Sequence, residues 1–250
     1  MATINTPPLR LPPMTQVVAL PLNELRSDKA GFEQLAALAQ AIGTHTFKII
    51  ELDFKTCHWF DANMCAPLGV VISKGVNQFL EFRLLGLSNR VRTILSKNKF
   101  LDGFGFSGVE DSYQSTIPYK RFKISEDRAF AEYLNQNMRG KGLPSMSEVL
   151  EMRFKNSILE LFVNAAMHSE TQTGIFACGQ YYPKKHLLDF CVADARIGFR
   201  KKIFNALGIK LNSDQAIAWA LQEGHTTRQG NVPGGLGLQL IKEFIQMNRG

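Results

Sequence analysis

Residues 160–169 form the stretch that most constrains how this chain of 250 residues can fold. Each residue of an α-helix advances about 100° around the axis, so Glu160, Asn164 and His168 fall on one edge, one turn apart. Apolar residues cover much of the remaining surface, which predicts that most of this helix is buried. A carboxylate and an amide there are costly without partners, and a magnesium ion with an ordered water would be such partners. Glutamate can take a proton from water, and asparagine offers magnesium a hard oxygen.

The composition is that of a globular protein, with 45% hydrophobic residues. The chain contains no apolar run of about 18 residues, so we expect no membrane span. Its first residues do not have the pattern of a secretory signal. The four cysteines include no CxxC pair, which predicts reduced core residues in a cytoplasmic protein. They are Cys57, Cys65, Cys178 and Cys191.

The formal net charge is +7, and the basic residues occur in small groups. A solvated basic surface is the plain interpretation. Nucleic-acid binding is not expected, because no recognisable reader motif accompanies the charge. A third reading places residues 200–202 and Arg228 near a polyphosphate ligand.

The periodicity of the first half predicts alternating strands and helices, which implies a small sheet covered by helices. The predicted strands are 16–20, 47–53 and 82–85, and the predicted helices are 29–42, 63–76 and 89–98. Glycines and a polar stretch around 103–115 mark a boundary between two halves.

The second half has its own set of predicted elements. The strands are 116–124, 173–180 and 186–194, and the helices are 126–138, 213–222 and 236–247. A long helix carries Glu160 and Asn164, and either Ser145 or Ser147 can cap it. Residues 199–233 are rich in Gly, Thr, Lys and Arg, which is typical of a mobile active-site lid.

Three motifs of the second half are consistent with one ligand site. The first is the Glu160/Asn164/His168 helix. The second is Asp194 at the end of an apolar strand, with Gly198 four residues later; the aspartate can accept a hydrogen bond from an amine such as that of adenine, and the glycine permits close approach of the backbone. The third is the glycine-rich run 233–238 at a helix start, where free N–H groups and the helix dipole favour phosphate.

Each motif alone has an ordinary explanation. A Glu-x-x-x-Asn helix is often a solvated polar edge, Asp194 alone would be a strand-end turn residue, and Gly-Gly-Leu-Gly is more often a tight loop. Their order and spacing together favour the ligand site.

The combination resembles the histidine-kinase-like ATPase (GHKL) superfamily of DNA gyrase, Hsp90-type chaperones, MutL proteins and anti-sigma-factor kinases. The run from Glu160 to His168 is similar to its N box, 194–198 to its first glycine box and 234–238 to its second. The resemblance covers about residues 116–250. It implies a two-layer α/β sandwich with a mixed sheet, an ATP ligand and a Mg²⁺ ion.

The resemblance also implies a role for individual residues. Glu160 would be the catalytic base, Asn164 would bind the metal, and Asp194 would recognise adenine. The implied cofactor-binding residues are Asn164, His168, Asp194, Gly198, Thr227, Gly234, Gly235, Leu236, Gly237 and Leu238.

Two departures from the family pattern bear on these expectations. Arg196 replaces the first glycine of the first glycine box. It would either crowd the adenine pocket or stack on the base as a cation–π partner. The family usually continues with further strands, so the resemblance leaves open a truncation at the C-terminal end.

The first half, residues 1–107, resembles the STAS domain of anti-sigma-factor antagonists. The resemblance rests on 48–53, 59–61 and 82–88 and on the helices that follow. The antagonists carry a phosphorylated serine after the aspartate, whereas Asp61 is followed by Ala62 and Asn63. We therefore expect docking of a partner protein or homodimerisation, and no phospho-switch.

The leading functional hypothesis is Mg²⁺-dependent ATP binding with slow turnover, as an ATPase or as a serine kinase of the anti-sigma-factor type. The alternative is a nucleotide-gated interaction module with little or no catalysis, and a third hypothesis is a scaffold without a working pocket. The sequence leaves the partner and the phosphate acceptor open.

Overall fold

The first half folds around a parallel sheet of three strands. A computed structural model describes residues 16–138, 141, 147–166, 173–195, 198–222, 224–225 and 236–247. The strands are β1 (Val17–Pro21), β2 (Ile49–Asp53) and β3 (Glu81–Leu85), in the order β1-β2-β3. The helices between and after them are α1 (Lys29–Ile42), α2 (Cys65–Val76) and α3 (Asn89–Lys97).

Local hydrogen bonds explain where two of these helices begin. The side chain of Asp28 accepts a hydrogen bond from the N–H of Gly31 at 2.9 Å and caps α1. Ser88 accepts one from the N–H of Val91 at 3.3 Å and caps α3. Each cap satisfies a backbone N–H that has no partner within its own helix.

The second half folds around an antiparallel sheet of three strands, in the order β4-β5-β6. The strands are β4 (Thr116–Phe122), β5 (Ile175–Tyr182) and β6 (Leu187–Asp194). The helices are α4 (Asp127–Met138), α5 (Glu148–Ala166), α6 (Gly198–Leu207), α7 (Ser213–Ala220) and α8 (Leu236–Met247). Ser147 lies at the beginning of α5 and accepts a hydrogen bond from the N–H of Leu150 at 3.3 Å.

Helices cover both faces of the antiparallel sheet. Alternate residues of β5 point to opposite faces, as in any strand. Ile175 and Ala177 belong to a core with Phe162 of α5, whereas Phe176 and Cys178 belong to the core that contains α2. Residues on almost every side of α2 are buried, which is the pattern of a helix enclosed by other elements.

The predicted α/β class is confirmed, with one parallel and one antiparallel sheet. Two details differ from the expectation. The three described strands of the second half are antiparallel throughout, not mixed, and α2 adds a layer to the expected two-layer sandwich. The second layer of helices is possible because the sheet is apolar on both faces.

The segment 199–233 differs from a featureless lid, because α6 and α7 occupy much of its described part. Helix α6 was missed because the charged run 200–202 obscures its apolar spacing, in which Phe199, Ile203 and Leu207 recur every four residues. Among the described helices, none combines the length and apolar character needed to cross a membrane.

Candidate functional site

Helix α5 places the positions of Glu160 and Asn164 on the side away from the sheet. Phe162 is fully buried against the sheet, in ring contact with Phe122 and Phe130. Glu160 and Asn164 each lie two residues from Phe162, about 200° around the helix axis. The Glu160 side chain is nevertheless half-buried, so neighbouring protein atoms cover part of it.

Helix α8 lies alongside α5. The rings of Phe154 and Phe244 stack with their centroids 4.1 Å apart. One turn earlier in α8, Ile241 packs against the core that contains Ile158 and Phe162 of α5. Helix α8 therefore packs on the same helix that carries Glu160.

Strand β6 ends at Asp194, which pairs with Ile175 at the edge of the described sheet. The Asp194 side chain is exposed, and the next residue, Ala195, is buried against the core that contains α2. The buried Ala195 holds the end of the strand, while the Asp194 side chain is exposed.

Gly198 begins α6 with a φ of +70°. Side chains with a Cβ are strained in this left-handed region. No heavy atom of the residues that the structure describes lies within 4 Å of the position that a Cβ would occupy there. The glycine is therefore needed for its backbone conformation, and the space above it is open.

A cleft of about 720 Å³ lies between α6 and α7 and includes Gly198. Arg200, Lys201 and Lys210 lie along it, so its electrostatic potential favours anions. This cleft forms only when α6 packs on α7, so no pattern in the sequence predicts it, although the basic run 200–202 favours an anion. A smaller cavity of about 390 Å³ between α4 and α5 contains none of the predicted site residues.

The described residues of the predicted site all lie in the second half of the chain. Glu160, Asn164, Asp194, Gly198, Leu236, Gly237 and Leu238 are on elements of the same half, and α5 packs on β6 as well as on α8. The predicted His168, Thr227, Gly234 and Gly235, together with Arg196, lie outside the described residues.

The resemblance assigns the magnesium ion to Asn164. Within the described part of the chain, no three His, Cys, Asp or Glu side chains form a group able to hold a metal. Magnesium in nucleotide sites is usually bound through one or two side chains together with phosphates and waters. The amide of an asparagine such as Asn164 fits that donor set.

The Asp61 carboxylate in the first half is held by its neighbours. It accepts hydrogen bonds from the Trp59 indole and from the backbone of Ser27, both at 2.7 Å. The guanidinium of Arg90 lies 4.2 Å from the centre of the Trp59 ring. These contacts hold the loop that precedes the short 3₁₀ helix Ala62–Met64. We therefore expect the surface around Asp61 to be rigid.

Comparisons with family models, with curated proteins and with solved structures found no match to this chain.

Proposed function

We propose that the second half binds Mg²⁺-ATP as a member of the histidine-kinase-like ATPase superfamily and turns it over slowly. The observation that supports this best is the packing of α8 on α5, the helix that carries Glu160 and Asn164. In this proposal the start of α8 faces these two residues. The N-terminus of a helix attracts phosphate, so both parts of the proposed site would act on one triphosphate.

Each residue has a defined role in this proposal. Asp194 accepts a hydrogen bond from the adenine amino group, and Asn164 would hold a magnesium ion, which would neutralise negative charge on the phosphates. Glu160 takes the proton of the attacking water, or of a partner serine, as the new bond to the terminal phosphorus forms. The bond from that phosphorus to the ADP oxygen breaks, and ADP leaves with the electron pair.

Replacing the base tests the assignment directly. Glu160→Gln keeps the shape of the side chain but cannot accept the proton, so turnover should fall by about 100-fold or more. Calorimetry should still detect ATP binding. Glu151→Gln is a matched control on the same helix, where Glu151 pairs with Lys155 at 2.6 Å. Unchanged phosphate release by Glu160→Gln would refute the role of Glu160.

A second experiment tests the metal ligand. Asn164→Ala should weaken ATP binding in the presence of magnesium and have little effect when the ion is chelated. Absence of ATP and ADP binding by the unaltered protein, at millimolar nucleotide with magnesium, would refute the whole proposal.

The alternative function is a nucleotide-gated interaction module, in which the first half is a STAS-like docking domain. The shared core at α2 favours it, because a rearrangement around the proposed nucleotide site would be transmitted to the first half. ATP binding without phosphate release, together with ATP-dependent hydrogen exchange in α2, would select this function over the ATPase.

A further inference from the structure

The α6–α7 hairpin carries an unusual amount of exposed apolar surface. Five of its large apolar side chains are between 39% and 48% exposed. They are Phe199, Phe204, Leu207, Ile209 and Ile217. Exposed apolar side chains scattered singly are normal, but a contiguous group of them marks a site of interaction.

The hairpin has its own small core, and the described part of the chain does not cover its outer surface. Ile203, Ala216 and Ala220 are its buried residues, and α6 packs mainly on α7. A capping box at the start of α7 holds the turn, since Asn212 and Gln215 exchange side-chain-to-backbone hydrogen bonds at 2.8 and 3.0 Å. The exposed residues are thus presented by a locally ordered unit.

The cleft between the two helices combines an apolar floor with a basic rim. Phe199, Phe204 and Ile217 line it together with Arg200, Lys201 and Lys210. The stretch 198–222 contains four Lys or Arg residues and one Asp, a local charge of 4 − 1 = +3. An apolar stripe flanked by carboxylates is complementary to this arrangement.

We propose that this cleft binds an acidic amphipathic helix of a partner protein. The groove between two packed helices can receive the side-chain ridge of a third. The ten residues of α6 extend about 15 Å. That length matches two to three turns of a bound helix. The proposal does not depend on whether the second half binds ATP.

A fluorescent peptide of about eighteen residues is a suitable probe, because shorter isolated helices are only marginally stable. Its leucines follow the i, i+3, i+4, i+7 pattern, and glutamates occupy the other face. The full-length protein should bind it, and added salt should weaken binding. A peptide of the same composition with scrambled order, and one with lysine in place of glutamate, should bind at least about tenfold more weakly.

Variants of the cleft then locate the binding surface. Two double variants should each weaken peptide binding by at least about tenfold. One removes apolar contacts, Phe204→Ser with Ile217→Ser, and the other reverses basic charges, Lys201→Glu with Lys210→Glu. Tyr113→Ser and Lys74→Glu are the controls, since both side chains are exposed elsewhere, and they should bind as the unaltered protein does. Circular dichroism checks that each variant is folded.

Four results would overturn the proposal. The first is that the acidic amphipathic peptide does not bind, and the second is that the cleft variants bind it normally. The third is that Mg²⁺-ATP competes with the peptide and that the double variant Lys201→Glu with Lys210→Glu binds ATP more weakly. Together these two observations would assign the cleft to the nucleotide. The fourth is a dimer that Phe204→Ser with Ile217→Ser dissociates, which would assign the surface to a second copy of the chain.

Discussion

The thiol of Cys178 accepts a hydrogen bond from the backbone N–H of Ala66 at a distance of 3.2 Å. The same sulfur lies 3.1 Å from the carbonyl oxygen of Asn63, to which it can donate. Burial, and then the neighbouring Cys65 thiol, raise the pKa of Cys178 well above its usual range, so it remains a neutral donor. A residue of the second sheet is thus bonded to the beginning of a helix of the first half.

We predict that the two halves unfold together, because they share this buried core. The Trp219→Phe variant retains Trp59 as a fluorescent reporter of the first half, while far-UV circular dichroism reports the helices of both halves. The two signals should give one urea midpoint. A fluorescence midpoint clearly separated from the circular dichroism midpoint would show that the halves are independent.

Gly69 of α2 should not tolerate a methyl group. A Cβ at this position would lie 2.3 Å from the hydroxyl oxygen of Tyr119 in β4. Gly69→Ala should therefore destabilise the protein by about 1–3 kcal/mol, as overpacking of a core does. Gly103→Ala is the matched control, since a Cβ there would meet nothing within 4 Å. Urea unfolding compares the two, and equal midpoints would contradict the described packing of α2 on β4.

Ionisation of the Asp189 carboxyl should lower the free energy of unfolding as the pH rises. Burial, and then the nearby Asp61 carboxylate, raise the pKa of Asp189 above its ordinary value of 3.8, while Lys185 opposes the shift. The folded state therefore favours the protonated carboxyl. Its contribution to stability is complete below pH 3.8 and is lost as the pH rises through the raised pKa.

The Asp189→Asn variant removes this titration. It should be more stable than the unaltered protein at neutral pH, and its stability should vary less with pH above 3.8. Thermal unfolding across that pH range measures the difference. The exposed Glu110→Gln serves as the control and should leave the pH profile unchanged. An Asp189→Asn protein that is less stable at neutral pH would refute the argument.

Gly198→Ala should weaken the proposed nucleotide site through the backbone. An alanine at a φ of +70° costs about 1–2 kcal/mol, so the start of α6 would shift to relieve it. ATP affinity should fall, as calorimetry can measure. Gly105→Ala has the same kind of strain at a φ of +75° and equally open surroundings, but Gly105 belongs to the first half of the chain. Equal ATP affinities in both variants would remove Gly198 from the proposed site.

The sequence by itself determined the elements whose signals are local. The predicted helix 29–42 matches α1, and the predicted 236–247 matches α8. A cap such as Asp28, or an apolar residue every three or four positions, acts within one or two turns of the chain. Such signals can be read without knowing what the helix packs against. The family resemblance likewise rests on the order of Glu160, Asn164 and Asp194 along the chain, which requires no tertiary structure.

Only the tertiary structure decided which surfaces meet. The apolar character of α2 predicts burial, but its contact with Cys178 joins residues more than one hundred positions apart. The packing of α8 on α5 also joins residues that are distant in the sequence, such as Phe154 and Phe244. The cleft between α6 and α7 likewise exists only once both helices have packed. Hydrophobic burial is non-directional, so the pattern of a segment shows that it will be covered and leaves its partner to the packing of the whole chain.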